Sequence, residues 1–192
     1  MSDLIIWRGL DSSRLEAVHV VWGDESLVAI GTQIGTSPEG YRLDYRLEVA
    51  SGWLTRVLEL SVVGRGFARG LRLERDERGW SARRTGEGPA GDLDAAALED
   101  AIDCDLGFSP LTNLMPVRRH RLNEAAGASD LVAAWVSVPD LDVFASKQRY
   151  EHVRQDVVRY IDRGVADGFT AELVLDPLGV VRHYPELAER VV

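Results

Sequence analysis

Hydrophobic and polar residues alternate along much of the first half of the chain. The clearest case runs from Tyr41 to Val49, where five apolar residues are separated by four charged ones. In a β-strand this alternation puts the apolar side chains on one face and the charges on the other. Less regular versions predict strands at 15–22, 27–34, 54–63, 71–75 and from Trp80 onwards. Short turn sequences between these runs indicate an antiparallel meander.

The second half of the chain predicts more strands and little helix. The predicted strands are 117–122, 131–138, 148–154, 157–162, 169–175 and 180–184. Residues 86–91 predict a loop, and 92–101 predict either one or two helical turns or irregular backbone at the edge of the sheet. We expect a short helical turn at 111–115. A C-terminal helix is predicted at 186–191, because Pro185 is tolerated in a first helical turn.

These patterns predict a mostly β fold. We expect a curved antiparallel sheet or open half barrel of about a dozen strands, with one or two short helices, in a single domain covering residues 1–192. A sheet this large can bury its apolar face only if it curls, closes or splits in two. No helical pattern of about ten residues recurs between the strands, which argues against a doubly wound parallel sheet.

Charge and composition narrow the possible functions. The net charge of −9 repels nucleic-acid backbones, so we expect no nucleic-acid partner. Cys104 is the only cysteine, and the four histidines are scattered, so neither a metal site nor a cofactor is expected. The start of the chain lacks the features of a signal peptide, and no apolar run approaches the roughly 20 residues of a membrane span. We therefore expect a cytoplasmic location without stable membrane insertion; the oligomeric state is left open.

The middle of the chain carries an unusual set of polar residues. Asp103 and Asp105 share one face if their segment is a strand. Thr112 and Asn113 follow in a loop that two prolines constrain, and they offer a hydroxyl and an amide to a turn or to a polar ligand.

Two arginines, Arg118 and Arg119, close this stretch and point to opposite faces if residues 117–122 are extended. We expect Asp103 or Asp105 to pair with one of them. Two interpretations stay open: a structural carboxylate–arginine network, or a polar pocket for hydroxyl-rich or anionic groups.

The same stretch resembles the glycolipid-binding protein family of bacteria. The resemblance is carried by an Asp-x-Asp motif at 103–105, Ser-Pro-Leu-Thr-Asn at 109–113 and Pro-Val-Arg-Arg at 116–119. It continues in Ala-Trp-Val at 134–136, in Gln148 with Tyr150, and in 176–179 with Tyr184 and Pro185. It implies an open-barrel-like β fold similar to the periplasmic carriers of lipoproteins, and a glycolipid or small amphiphile as ligand. It brings no catalytic residues with it.

A non-catalytic binding role is therefore the favoured function, with the ligand held on a concave β-sheet. The ligand-binding residues that we predict are Asp105, Thr112, Asn113, Arg118, Arg119, Trp135 and Tyr150. Trp135 and Tyr150 would contact the acyl part, and the polar residues would contact the head group. The alternatives are a protein-interaction or structural β module and, with less support, a carboxylate-dependent hydrolase, because Asp103 and Asp105 point in parallel and not across a scissile bond.

Overall fold

Fourteen β-strands make up one sheet in a computed structural model that describes residues 1–10, 13–86, 93–166 and 168–191. The first seven strands are β1 (Ser2–Gly9), β2 (Arg14–Trp22), β3 (Leu27–Gly35), β4 (Tyr41–Ala50), β5 (Leu54–Gly64), β6 (Phe67–Asp76) and β7 (Gly79–Gly86). The others are β8 (Ala101–Leu106), β9 (Ala128–Val136), β10 (Val143–Arg154), β11 (Val157–Asp162), β12 (Thr170–Leu175), β13 (Val181–Tyr184) and β14 (Ala188–Arg190). A 3₁₀ turn (Pro110–Asn113) leads directly into helix α1 (Leu114–Arg119).

The predicted mostly β fold is confirmed, with somewhat more strands than the expected dozen. The strand order is β7-β6-β5-β4-β3-β2-β1-β14-β13-β12-β11-β10-β9-β8. The end strands β7 and β8 are not neighbours in this order, so the sheet stays an open curve instead of a closed barrel. All pairings between the described strands are antiparallel except β8 with β9, which is parallel.

Local alternation explains the long strands of the first half. In β4 the five apolar residues from Tyr41 to Val49 are all buried, and the charged residues between them face outwards. The strand registers keep this alternation in phase from β2 through β5, because each hairpin pairs buried residues with buried residues. The result is a continuous buried inner face that is apolar except at a few positions such as Glu16 and Gln33.

Strand β8 and the helical segment lie across that inner face. The Thr55 hydroxyl on β5 accepts a 2.9 Å hydrogen bond from the backbone N–H of Cys104, and the Trp80 indole donates to the carbonyl of Ala101 at 2.8 Å. Leu111, Leu114 and Met115 complete the core cluster of the first half of the sheet. The inner face of β2–β6 is therefore filled by protein and is not an open trough.

Two predictions for the local structure were wrong. The predicted strand at 117–122 is absent: residues 117–119 belong to helix α1 and 120–122 form a turn, because Leu111, Leu114 and Met115 are spaced to face the core only in a helical conformation. Residues 188–190 form β14 and not a helix, since β14 supplies backbone partners to both β1 and β13.

The structure also bears on the predicted helical turn, on the segment after β7 and on membrane-spanning helices. The predicted helical turn near 111–115 is confirmed. Residues 95–100 form turns, which agrees with irregular backbone there; the predicted loop at 87–91, like residue 92, lies outside the described residues. Within the described ranges, no helix has the length and apolar character required to span a membrane.

Candidate ligand-binding site

A cavity of about 180 Å³ opens where the helical segment meets the second half of the sheet. Its aromatic lining residues are Phe108, Trp135, Tyr160, Phe169 and Tyr184. Its polar lining residues are Asp105, Ser109, Asn113 and Asp162. We call this cavity the aromatic pocket. It combines apolar walls with a few convergent polar groups, which is the usual composition of a small-molecule site.

Asp105 lies at the polar end of the aromatic pocket. One carboxylate oxygen accepts a 2.8 Å hydrogen bond from the Thr112 hydroxyl, and the other accepts a 2.7 Å bond from the amide of Gln148. Burial raises the pKa of Asp105 to about 6; these two hydrogen bonds oppose the rise, and the neighbouring charge of Asp162 adds to it. Asp105 is only partly exposed, and neither of its hydrogen-bond partners is a cation.

Asn113 is held in place from behind the pocket. Its side-chain oxygen accepts a 2.9 Å hydrogen bond from the Tyr150 hydroxyl, and its amide donates to the carbonyl of Pro110 at 3.2 Å. Tyr150 is almost fully buried and is not among the lining residues of the pocket. It therefore positions Asn113 instead of offering an open surface to an acyl chain.

Ring contacts join aromatic residues around the pocket into two groups. Tyr160 makes edge-on contacts with Tyr150 and Tyr184, with ring centroids 5.3 and 6.2 Å apart. Phe169 stacks on Tyr184 at 6.4 Å. Trp135 on β9 contacts Phe144 on β10, with ring centroids 6.0 Å apart, and the Phe144 side chain is about half exposed. An apolar surface therefore continues from the pocket to the outside.

Strand register explains why these residues meet. The antiparallel pairing of β10 with β11 places Gln148 opposite Asp162 and Tyr150 opposite Tyr160. The parallel pairing of β8 with β9 places Asp105 beside Trp135. The pair β8 with β9 and the pair β10 with β11 thus present their polar and aromatic residues to one cavity.

The two predicted arginines lie outside the pocket. Arg119 forms a buried ion pair with Asp103, with one Nη1–Oδ2 distance of 2.9 Å, and it also donates to the backbone carbonyl of Trp53. Arg118 places its guanidinium 5.1 Å from the centre of the Trp53 ring. The expected pairing of a mid-chain aspartate with a mid-chain arginine is thus present in the structure as Asp103 with Arg119. Because both arginines sit on a helix, their predicted placement on opposite faces of a strand was wrong.

A buried polar layer supports the pocket from the side of the first half of the sheet. Glu16 accepts hydrogen bonds of 2.6 Å from the hydroxyls of both Tyr45 and Ser109. Burial raises the pKa of Glu16 to about 7, although these hydrogen bonds oppose the rise. Gly31 permits this layer, because a side chain there would overlap the Tyr45 ring. Through Ser109 the layer holds the backbone next to Phe108, whose φ of 66° lies in the left-handed region.

Five of the seven predicted ligand-binding residues therefore gather in or directly behind one cavity: Asp105, Thr112, Asn113, Trp135 and Tyr150. The polar and aromatic lining residues that the site prediction did not select are Phe108, Ser109, Tyr160, Asp162, Phe169 and Tyr184, together with Gln148 as the partner of Asp105. A usable signal was present in β10 and β11. Asp162 is a polar residue on the otherwise apolar face of β11, and Gln148 shares its face of β10 with Tyr150; a polar residue buried in either place needs a partner.

Other depressions on the described surface are less suited to an amphiphile. The one between the β4–β5 and β6–β7 turns has a volume of about 960 Å³, but its walls include Arg56, Arg75, Asp76, Glu77 and Arg78. These charges stand among apolar side chains such as Leu54 and Trp80, so a hydrocarbon chain bound there would also have to desolvate charged groups, which is costly.

Comparisons with known proteins agree with this picture. A family model with the printed description "Putative glycolipid-binding" matches residues 4–190. The crystal structure of a DUF1089 family protein from Pseudomonas aeruginosa is similar over 94% of this chain and 93% of that chain, with 27% sequence identity and a TM-score of 0.75. No curated protein matches the chain.

Proposed function

This chain belongs to the glycolipid-binding family, and from that premise we propose that it binds a glycolipid without chemical conversion, with the sugar head group in the aromatic pocket. The observation that carries this proposal is the combination of five aromatic rings with two carboxylates and an amide around one cavity of about 180 Å³. Sugar rings present C–H bonds on their faces and hydroxyls at their edges. Aromatic faces suit the former, and carboxylate or amide oxygens accept hydrogen bonds from the latter.

The size of the cavity supports this placement of the sugar head group. A volume of about 180 Å³ lies below the range of roughly 300–1,000 Å³ that is typical for drug-sized ligands, so it suits one sugar unit better than a whole lipid. The hydrocarbon chain would leave the pocket along Trp135 and the half-exposed Phe144. Each methylene that it buries there would contribute about 0.8 kcal/mol.

The hydrogen bonds of Asp105 favour binding over catalysis. Both of its carboxylate oxygens already accept hydrogen bonds from protein side chains, one from Thr112 and one from Gln148. A general acid needs a proton directed at the leaving group. With both oxygens held by protein donors, Asp105 is arranged to accept hydrogen bonds and to orient a ligand.

Binding is tested by native mass spectrometry of the purified protein, followed by organic extraction and lipid analysis. In parallel, calorimetry with octyl glycosides, octanol and free sugars separates the contributions of the chain and the head group. We expect octyl glycosides to bind more tightly than either part alone and to be recovered unchanged.

The variant Trp135→Ala should weaken octyl glycoside binding at least tenfold, because a ring contact of this size contributes about 1.4 kcal/mol or more. Trp22→Ala is the matched control, since Trp22 lies on β2 and hydrogen-bonds Asp3 away from the pocket. Absence of any extracted amphiphile, together with no heat signal from any glycoside, would overturn the proposal. Recovery of a hydrolysed glycoside would overturn its non-catalytic part.

A further inference from the structure

The charges around the aromatic pocket are one-sided. Asp105 and Asp162 both line it, and none of its described lining residues is an arginine, lysine or histidine. The basic side chains nearest in sequence to the 3₁₀ turn are engaged elsewhere, Arg119 with Asp103 and Arg118 over the Trp53 ring. The Arg14 guanidinium lies 3.7 Å from the centroid of the Phe108 ring but is not a lining residue, so a phosphate, sulfate or carboxylate on the ligand would meet two lining carboxylates and no lining cation.

The two carboxylates are held by neutral donors. Asp162 accepts a 2.7 Å hydrogen bond from the backbone N–H of Gly164 and a 3.2 Å bond from the Tyr160 hydroxyl. Asp105 is bound by a hydroxyl and an amide. Neither carboxylate has an ion-pair partner among the described residues. Carboxylates removed from water without a cation are costly, and a positively charged ligand would offset that cost.

The walls of the pocket also suit a cation. Tyr160, Phe169 and Tyr184 all line the pocket, and aromatic rings attract ammonium groups through the ring quadrupole. Burial is the main cause of the raised pKa of Asp105, and the nearby charge of Asp162 adds to it. A cation between them would interact with both.

We infer that the head group carries a protonated amine, so that the ligand class is a lipid with a basic amino sugar. The inference rests on the proposed function and names the chemistry of its ligand. The ammonium group would lie between Asp105 and Asp162, and the C–H face of the sugar would lie against the aromatic rings. Glycosides that carry a neutral or an acidic sugar in place of the amino sugar test this inference.

The experiment compares four octyl glycosides by calorimetry at pH 7: glucosaminide, glucoside, N-acetylglucosaminide and glucuronide. A charge-assisted hydrogen bond is about twice as strong as a neutral one, so we expect the glucosaminide to bind roughly tenfold more tightly than the glucoside. The N-acetyl compound should resemble or fall below the glucoside, because acetylation removes the charge. The glucuronide should bind most weakly.

The variant Asp162→Asn should bring the ratio of glucosaminide affinity to glucoside affinity down to about one, because it removes one of the two charges that line the pocket. Asp44→Asn is the matched control, because Asp44 lies on the outer face of β4 and pairs there with Arg42. Equal affinity for glucosaminide and glucoside, or tighter binding of the glucuronide, would overturn the amine inference and leave the proposed function standing. Failure of all four compounds to bind would overturn both.

Discussion

Asp103 and Asp105 are two residues apart on β8, yet their surroundings differ completely. Asp103 is buried in an ion pair with Arg119, whereas Asp105 borders the aromatic pocket and is held by neutral donors. A buried ion pair that loses one partner leaves an uncompensated charge, while a carboxylate held by neutral groups does not depend on a cation. The two aspartates therefore differ in what they contribute to stability.

We predict that Arg119→Met destabilises the protein by about 3–5 kcal/mol, because it strands the buried carboxylate of Asp103. Asp105→Asn should cost about 1 kcal/mol or less, since it relieves a buried charge and keeps the size of the side chain. Urea denaturation at pH 7 measures both changes. The double variant Asp103→Asn/Arg119→Met should recover part of the loss, and an Arg119→Met protein as stable as the wild type would contradict the assignment.

Among the secondary-structure elements, β8 and the helical segment (the 3₁₀ turn with helix α1) determine which part of the inner face of the sheet is filled and which part borders the aromatic pocket. They lie across the inner face of the first half and close it, and they carry Asp105, Ser109 and Asn113 to the aromatic pocket. Thr55 on β5 fastens β8 through its hydroxyl, which accepts from the N–H of Cys104 at 2.9 Å and contacts the Met115 sulfur at 3.2 Å. One buried hydroxyl thus connects the sheet, β8 and helix α1.

Replacing that hydroxyl tests the connection. Thr55→Val keeps the shape of the side chain but leaves the buried N–H of Cys104 without its partner, so we expect a loss of about 1–3 kcal/mol. Thr55→Ser keeps the hydroxyl and should lose less. Thermal denaturation ranks the two variants, and amide exchange should show faster exchange at Cys104 only in Thr55→Val. Similar exchange at Cys104 in both variants would contradict the connecting role of the hydroxyl.

The whole molecule responds to pH through carboxylates whose pKa values are raised by burial. The folded-state pKa of Glu16 is about 7, above the ordinary value of 4.5 that applies to the unfolded chain. Between these values the folded state binds more protons, so stability falls as pH rises from about 4.5 to about 7 and then levels off. Across this pH range the free energy of unfolding falls by about 3 kcal/mol because of Glu16. The raised pKa of Asp105 lowers the stability in the same direction.

We predict that Glu16→Gln removes most of the Glu16 part of this pH dependence. Urea denaturation of the wild type and the variant from pH 4.5 to 8 should show their stabilities diverging by about 3 kcal/mol in favour of Glu16→Gln as the pH increases. Glu39→Gln, at an exposed turn position, should follow the wild type. Parallel curves for the wild type and Glu16→Gln would show that Glu16 is not protonated in the folded protein.

The sequence by itself determined the features that depend on neighbours along the chain. The alternation from Tyr41 to Val49 identified both the strand and its buried face, because successive side chains of a strand point to opposite sides. Turn residues separated the hairpins, and the absence of repeated helical patterns excluded a doubly wound sheet. The motif between 103 and 119 marked the segment that contributes to the candidate site.

Only the tertiary structure decided which groups meet. Distant strands or segments come together in three places: Asp103 pairs with Arg119, β14 joins β1 to β13, and Asp105 and Asp162 line one pocket. Residues 188–190 show why local preference failed there. Unpaired backbone groups of two strand edges required partners, and satisfying them outweighed the small intrinsic preference of three residues for helix. The pocket has the same origin, since strand register and not local sequence brings its walls together.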